Sequence, residues 1–152
     1  MFVERIFTSP ASGDAQVEHA SVEFVAGLGI RGDRYFGRND EPGQNVTLVE
    51  AEEVEAFLDS LGRPRNLSVT NRNLVTRGVR LNELVGKEFT VGGVQMLGVE
   101  LCEPCLSLGA RLASEQITAA AVVKRLVHRA GLRASVLSSG PVSAGARVQS
   151  AT

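Results

Sequence analysis

Alternating apolar and polar positions predict that this chain forms short β-strands over most of its length. The alternation is clear in residues 17–26, where Val22 and Phe24 share one face and Glu23 lies on the other. Residues 2–8, which a turn-forming stretch follows, are predicted to form the opening strand. Further short apolar runs predict strands at residues 45–49, 72–79 (a strand with its turn), 87–91, 94–101, 132–136 and 146–149. The pattern therefore predicts a fold dominated by β structure.

Two segments have helical spacing instead. In residues 50–61 four apolar side chains recur with the helical period, acidic residues occupy the first turn, and a glycine and a proline follow. A second amphipathic run begins at Ser114 or Thr118 and is predicted to end at Gly131. His128 near the end of this run is interpreted as a surface residue that complements the helix dipole.

A tight hairpin is predicted at the Gly-Gly pair of residues 92 and 93, which separates two β-patterned runs. In the second run Val94 and Met96 keep one phase of the alternation, whereas Val99 and Leu101 keep the other. A change of phase at Gly98 predicts a β-bulge, and bulges often direct side chains towards a site. The strand is thus expected to lead into a loop at the rim of the sheet.

The length of 152 residues fits one domain, residues 1–152, whose core needs no disulfide bonds. Short strands joined by tight turns protect their edges when the sheet closes on itself. We therefore predict a single mixed α/β, β-rich domain with a barrel-like sheet and flanking helices.

The net charge and the lack of a recognisable targeting or membrane-spanning segment argue against a nucleic-acid-binding, secreted or membrane protein. Sixteen basic residues against 17 acidic ones leave a net charge of −1, which does not direct the chain to nucleic acid or to a membrane surface. Neither a targeting segment nor an apolar run long enough to span a bilayer is recognisable. Two cysteines without a leader predict a protein of the reducing cytoplasm.

Basic residues are concentrated in two stretches of the sequence. The first contains Arg63, Arg65, Arg72, Arg77 and Arg80, and the second contains Arg111, Lys124, Arg125, Arg129 and Arg133. Arginine clusters suit phosphate or carboxylate recognition, because the guanidinium group binds two oxygens at once. The alternative is a solvated charged face.

The most informative stretch is Cys-Glu-Pro-Cys at residues 102–105, which holds both cysteines of the chain. Thiols at this spacing can ligate a soft metal, cycle through a disulfide, or act as a nucleophile or sulfur carrier. Too few other nitrogen or sulfur ligands are present to favour a closed zinc site. Both cysteines could also be small buried apolar residues.

Several blocks together resemble the MOSC domain, found at the C-terminus of molybdenum cofactor sulfurases and in stand-alone bacterial proteins of similar size. The blocks are Gly-Asp-Arg at residues 32–34, residues 72–86, the glycine hairpin, residues 101–105 and residues 128–137. The resemblance covers most of the chain, and the order and spacing of the blocks make it specific.

The resemblance implies a β-rich, barrel-like fold and binding of the molybdenum-pyranopterin cofactor (Mo-molybdopterin). The family's cysteine matches Cys105, which is expected to ligate molybdenum or to relay sulfur as a persulfide, while Cys102 matches a more variable position. This match makes Cys105 the expected catalytic residue and metal ligand.

The remaining candidate cofactor-binding residues lie in the matching blocks. Arg72, Arg129 and Arg133 are expected to hold the phosphate of the pterin, and Asn73 to hydrogen-bond either the pterin or the loop. Gly32 and Asp33 are expected either to shape the far wall of the site or to form a structural turn.

We therefore expect a small molybdoenzyme that reduces N-hydroxylated or similar N-oxygenated compounds. One alternative is a carrier that holds the cofactor, or a persulfide on Cys105, for another protein. Another is a cofactor-binding module without chemistry. No stretch resembles the pyridoxal-phosphate desulfurase domain of the fused sulfurases, or a flavin or iron-sulfur module. A reductase or a cysteine desulfurase is therefore the expected partner, and the small size favours a homodimer or another covering protein.

Overall fold

The computed structural model describes residues 1–11, 13–38 and 40–151. Within them the strands are β1 (Phe2–Thr8), β2 (Val17–His19), β3 (Ser21–Val25), β4 (Gly29–Ile30), β5 (Val46–Glu50), β6 (Leu74–Arg77), β7 (Glu88–Val91), β8 (Val94–Leu101), β9 (Leu132–Val136), β10 (Gly140–Ser143) and β11 (Val148–Ser150). The helices are α1 (Ala51–Ser60), α2 (Leu106–Leu112) and α3 (Ala119–Leu126), with a short 3₁₀ helix at Leu81–Leu84.

The strands form two sheets. The larger has eight strands in the order β11-β7-β8-β9-β5-β6-β1-β2, and the smaller has three in the order β10-β3-β4. Neighbouring strands are antiparallel except for the parallel pair β5 and β6, which α1 connects. Parallel strands need such a crossover because the chain has to return to the starting end of the sheet before the second strand begins, and a tight turn is too short for this.

The large sheet curls so that β1 reaches the segment before β11. The Val3 N–H donates to the Ala146 carbonyl at 2.8 Å, and the Gly145 N–H donates to the Val3 carbonyl at 2.7 Å. The Val148 N–H donates to the Met1 carbonyl at 3.0 Å. These bonds satisfy backbone groups that an open sheet would leave at its edge. The predicted β-rich, barrel-like α/β fold with flanking helices is confirmed.

Alternate residues of the central strands pack into two separate cores. Leu48 of β5 and Leu74 of β6 face the inside of the curled sheet, where they are fully buried. Their neighbours Val49 and Val75 face the other side and pack beneath the three helices. Successive side chains of a strand point to opposite faces, so both strands read as continuous apolar runs.

The predicted hairpin and bulge are both confirmed. β7 and β8 pair antiparallel across the Gly-Gly turn, with Val91 opposite Val94. The pairing of β8 with β9 shifts register between Gly98 and Glu100, where the apolar alternation changes phase. The shift allows β8 to end at the rim, directly before Cys102.

The prediction of two helices was incomplete, although both of those helices are confirmed. Helix α1 agrees with the predicted segment, and α3 begins after Thr118, whose hydroxyl accepts a hydrogen bond from the Ala121 N–H at 3.1 Å. The additional helix, α2, has only 7 residues. A run this short has little intrinsic helix stability and a weak periodic signal. It forms because Leu108 and Leu112 are buried against the other helices.

His128 lies on the surface, as predicted, but outside the helix. Helix α3 ends at Leu126, and His128 follows it with a φ of 62°. Its Nδ1 lies 2.9 Å from Oε2 of Glu103, and its backbone N–H donates to Oε1 of the same carboxylate at 2.8 Å. This contact joins the end of α3 to the cysteine loop.

Among the residues that the structure describes, none of the helices has both the length and the apolar character needed to cross a membrane.

Candidate functional site

Three polar side chains lie side by side on the central strands. Thr47 of β5 is the register partner of Arg133 in β9, and the parallel register of β5 with β6 brings Asn73 beside Thr47. Residues in register on neighbouring strands point to the same face of the sheet. The three side chains therefore form a polar row, on the face that the helices cover further along.

A cavity of about 210 Å³ lies over this row. Its lining residues are Gln16, Asp33, Arg34, Tyr35, Gly43, Gln44, Thr47, Asn71, Arg72, Asn73, Cys102 and Arg133. The lining contains three arginines and one carboxylate, and we call it the basic cavity. An excess of guanidinium groups in a concave site favours an anionic ligand.

Asp33 and Gly32 form a structural turn at one side of the basic cavity. Oδ1 of the buried Asp33 accepts hydrogen bonds from the Ser9 N–H at 3.0 Å and from Nδ2 of Asn73 at 3.5 Å. Oδ2 accepts one from the Tyr35 N–H at 3.3 Å. Gly32 has a φ of +88°, a conformation that glycine adopts without strain. The expected turn is present, and Asp33 also forms part of the cavity wall.

Asn73 joins the strands under the basic cavity. Its Oδ1 accepts from the N–H of Thr47 at 3.1 Å and from the Thr47 hydroxyl at 3.2 Å, while Nδ2 donates to the Phe7 carbonyl at 3.1 Å. Both ends of the amide are thus bound within the protein. The Asn73 side chain is thus bound to β1, β5 and the Asp33 turn, and a bond to the cysteine loop or to a cofactor stays a prediction.

Arg72 is held at the cavity wall by backbone carbonyls. Its Nε donates to the Ala130 carbonyl at 2.9 Å, and one terminal nitrogen lies 3.5 Å from the Cys102 carbonyl. Carbonyl oxygens fix the orientation of the guanidinium but do not neutralise its charge. Arg72 can therefore present a positioned positive charge to an anion in the basic cavity.

Arg133 lies at the other side of Cys102. Partial burial opposes its charge, but the electrostatic and hydrogen-bonding influence of Cys102, together with Glu100, raises the pKa of Arg133. Cys102 is buried, and its N–H donates to the Gly131 carbonyl at 2.8 Å. The first cysteine thus faces the basic cavity.

Cys105 is exposed and occupies the N-cap position of α2. Its thiol completes no capping hydrogen bond, but the backbone N–H of Leu108 lowers its pKa, and Ser107 and Arg72 act in the same direction against partial burial. Cys105 is not a lining residue of the basic cavity, but the charge of Arg72, which does line it, helps to lower the Cys105 pKa. The thiolate form, which is the nucleophile and metal ligand, is therefore favoured.

The family model of the MOSC domain matches residues 33–149. The chain belongs to the MOSC domain family. Within that match lie the polar row, Arg72, both cysteines and α2. The family is associated with the molybdenum cofactor.

Several solved structures have the same fold. The YuaD protein of Bacillus subtilis superposes with a TM-score of 0.82 at 20% identity, over 99% of this chain and 96% of the other. YiiM of Geobacillus stearothermophilus gives 0.77 at 15% identity, over 99% and 75%, and YiiM of Escherichia coli gives 0.70 at 19%, over 100% and 70%. Among curated proteins, none matches the sequence significantly.

Four of the seven predicted site residues of the MOSC domain line the basic cavity, whereas Gly32, Cys105 and Arg129 do not. Asp33, Arg72, Asn73 and Arg133 line the basic cavity. Arg129 instead faces the groove between α1 and α3, where its Nε lies 3.9 Å from Glu53. A role for Arg129 in holding the phosphate within the basic cavity therefore has no support from its position.

Sequence reasoning missed several residues of the site. Gln16, Arg34, Tyr35 and Gln44 line the basic cavity but come from loops without a periodic pattern. Arg111, on α2, is also close: burial and the positive charges of Arg72 and Arg34 lower its pKa, while Cys105 opposes the shift. Arg34 could have been predicted as a site residue, because it belongs to the Gly-Asp-Arg block at residues 32–34.

The part of the MOSC domain that the structure describes contains no group of three or more His, Cys, Asp and Glu side chains arranged to hold a metal ion. A metal in this site would therefore have few protein ligands, with the rest supplied by a bound molecule.

The alkylation rate of Cys105 is expected to show the lowered pKa directly. In a Cys102→Ser background, the rate of reaction with iodoacetamide should rise with pH about a midpoint below that of an unperturbed cysteine, because the folded protein favours the thiolate. The same protein in denaturant should show the ordinary midpoint, since the α2 backbone no longer surrounds the thiol. Equal midpoints in the folded and unfolded states would contradict the assignment.

Proposed function

We propose that this MOSC domain binds the molybdenum-pyranopterin cofactor, with Cys105 as its ligand to molybdenum, and reduces N-hydroxylated or other N-oxygenated compounds. The observation that supports the proposal most strongly is the position of Cys105. It is exposed, it has a lowered pKa, and it is electrostatically coupled to an arginine of the basic cavity. A thiolate is a soft ligand that suits molybdenum.

The side chains of the site fit such a cofactor. Arg34, Arg72 and Arg133 would hold the phosphate, because guanidinium groups bind phosphate oxygens in pairs. Crowding of positive charge around Arg111 and Arg72 also favours an anion at this place, since bound negative charge relieves the repulsion. The cavity of about 210 Å³ is smaller than a typical ligand pocket of roughly 300–1,000 Å³, so part of the cofactor would extend out towards Cys105.

The cofactor, when bound, supplies two-electron oxygen-atom transfer. The chain's own contribution is to bind and orient: the arginines hold the anionic end, and Asn73 and Asp33 keep the strands and loop in place. Electrons have to arrive from a reductase partner, which we place with this protein in the cytoplasm. A homodimer or another protein over the open side would exclude water from the substrate.

A sulfur carrier is the second candidate, and the exposure of Cys105 favours it. An exposed thiolate can accept a sulfur atom from the persulfide of a cysteine desulfurase and hold it for another protein. Such a carrier needs a docking face at Cys105 rather than an open position on a metal. The two functions therefore predict different groups on Cys105: molybdenum in the enzyme and a persulfide sulfur in the carrier.

Elemental analysis for molybdenum, with pterin fluorescence, tests the proposal. Protein from a host that makes the cofactor should contain about one molybdenum and one pterin per chain. Protein that contains no metal but carries one labile sulfur on Cys105 would establish the carrier instead. Wild-type protein with neither would overturn both functions.

A further inference from the structure

Two large apolar side chains are exposed near Cys105. Leu106, the first residue of α2, is 71% exposed, and Val127, directly after α3, is 41% exposed. A single exposed leucine is ordinary on a protein surface, whereas contiguous exposed apolar side chains mark interaction sites. The position of Val127 relative to Leu106 therefore decides whether the two form one surface.

Helices α2 and α3 pack closely against each other. A Cβ added to Gly109 of α2 would lie 2.6 Å from the carbonyl oxygen of Ala119 and 3.0 Å from a methyl carbon of Val123, both on α3. Only the short segment 113–118 connects the two helices. A connection this short makes neighbouring helices antiparallel. The start of α2 therefore lies beside the end of α3.

This arrangement brings Leu106 and Val127 to the same end of the helix pair. Leu106 lies one turn before the contact point on α2, and Val127 lies one turn after Val123. The hydrogen bonds that the Glu103 carboxylate accepts from His128 join the same two helix ends. The two apolar side chains thus form one exposed patch at the cysteine loop.

Basic side chains surround this patch. A groove at the end of α3 is lined by three basic and two aliphatic residues, namely Ala121, Lys124, Arg125, Val127 and Arg129. Nε of Arg129 lies 3.9 Å from Glu53, and the Arg125 guanidinium donates to the neutral hydroxyl of Ser60 at 2.6 Å. Within the described part of the chain Lys124 has no ion-pair partner. The chain as a whole has a net charge of −1, so this basic character is local.

We propose that a small acidic electron-transfer protein docks on the surface formed by Leu106, Lys124, Arg125, Val127 and Arg129, which we call the α2–α3 face. Carboxylates on the partner complement the three basic side chains and speed up the encounter. Leu106 is next in sequence to Cys105, so the docked partner lies beside the proposed metal ligand. The partner's role as electron donor rests on the proposed function.

The small size of the α2–α3 face favours such a partner over a second copy of the chain. Transient electron-transfer complexes bury less than about 1,200 Å², whereas obligate homodimers bury roughly 2,000 Å² or more and are more apolar. Two exposed apolar side chains with a charged rim match the first class. A transient complex also suits the chemistry, because the donor has to leave and be reduced again between turnovers.

The electron balance of the proposed reaction requires the donor to dock twice in each turnover if it carries single electrons. Reduction of an N-hydroxylated compound R–NHOH to R–NH₂ and H₂O consumes two electrons and two protons. Two reduced carrier molecules, docking in turn, each lose one electron and leave oxidised, and water supplies the protons. Rapid dissociation between the two transfers is expected from a small, charged interface.

Titration with an acidic plant-type 2Fe–2S ferredoxin tests the α2–α3 face on purified full-length protein. Lys124→Glu combined with Arg129→Glu should raise the Kd at least about tenfold, because attractive charge pairs become repulsive. Raising the ionic strength from about 20 to about 200 mM should weaken wild-type binding in the same direction. The matched control is Lys87→Glu combined with Arg147→Glu, which makes the same change of net charge at exposed residues outside the face. It should keep the Kd within about twofold of the wild type.

Leu106→Gln tests the apolar part of the face, and Leu137→Gln is its control. Leu137 is 41% exposed and follows β9, outside the α2–α3 face. Leu106→Gln should raise the Kd about fivefold, since it removes an apolar side chain that the partner covers, while Leu137→Gln should leave it unchanged. All four variants should unfold within about 2 °C of the wild type, because the substituted side chains are exposed.

The outcomes separate this inference from the proposed function. Ferredoxin binding that both face variants weaken, in protein that contains molybdenum, supports both. The same binding in protein without molybdenum supports the docking face and overturns the molybdoenzyme. Molybdenum-containing wild type that does not bind ferredoxin, or binds it equally in the face variants and controls, overturns the inference alone. Bound ferredoxin that passes no electrons to the molybdenum-containing protein overturns the donor role, and a wild-type dimer that Leu106→Gln dissociates in sedimentation would show that a second copy covers the face.

Discussion

Replacing Cys105 with serine is expected to remove molybdenum from the protein and to lower any molybdenum-dependent activity by at least about 100-fold. A serine hydroxyl stays protonated at neutral pH and is a hard ligand, so it cannot replace the soft thiolate that α2 and Arg72 favour at this position. The measurement is metal content together with the reduction rate of an N-hydroxylated compound, with a supplied electron donor.

Cys102→Ser is the matched control, because it makes the same chemical change three residues earlier in the same loop. Cys102 is buried beside Arg133, and we expect its serine variant to keep most of the metal and activity. Equal loss in both variants would favour a redox dithiol over a single cysteine ligand. Full metal content in Cys105→Ser would exclude Cys105 as the ligand.

Gly131→Ala is expected to destabilise the protein by about 3–5 kcal/mol, through backbone strain and steric overlap together. Gly131 has a φ of +113°, and a Cβ built there would lie 2.0 Å from the carbonyl oxygen of Leu48. β5 cannot move away, since Leu48 pairs with Leu132 in the core. Thermal unfolding should therefore show a midpoint roughly 10 °C lower.

Gly93→Ala provides the comparison for this substitution. A Cβ at Gly93 would meet no atom within 4 Å, and its φ is not in the left-handed region. The unfolding midpoint of this variant should stay within about 2 °C of the wild type. Equal unfolding midpoints for Gly131→Ala and Gly93→Ala would contradict the close approach of the Gly131 backbone to β5.

The sequence predicted elements well where the side chains repeat with a clear period. β3 and α1 were found because their apolar residues alternate or recur over enough positions, and the bulge of β8 was found from the phase change at Gly98. Helix α2 was missed because 7 residues contain too few repeats. The position of His128 was wrong because α3 ends two residues earlier.

Site residues were predictable where a family motif contains them. Cys105, Arg72 and Arg133 were identified from motif blocks, and Arg72 and Arg133 line the basic cavity. The same reasoning included Arg129, which shares a block with Arg133 but faces the groove between two helices. Arg129 lies in the connection between α3 and β9, whereas Arg133 lies within β9, and a motif does not record which element each residue belongs to.

The sequence by itself determined the family and the β-rich architecture, and it nominated Cys105 as the candidate ligand, because these depend on local pattern and on residue identity. Only the tertiary structure decided that Cys102 faces the cavity while Cys105 is exposed, and that Gln16 and Tyr35 join the site. The physical reason is that a cavity forms where the ends of distant strands meet. β9, β5, β6 and β1 are neighbours in the sheet although they are far apart in sequence, and this order depends on long-range pairing that local sequence does not encode.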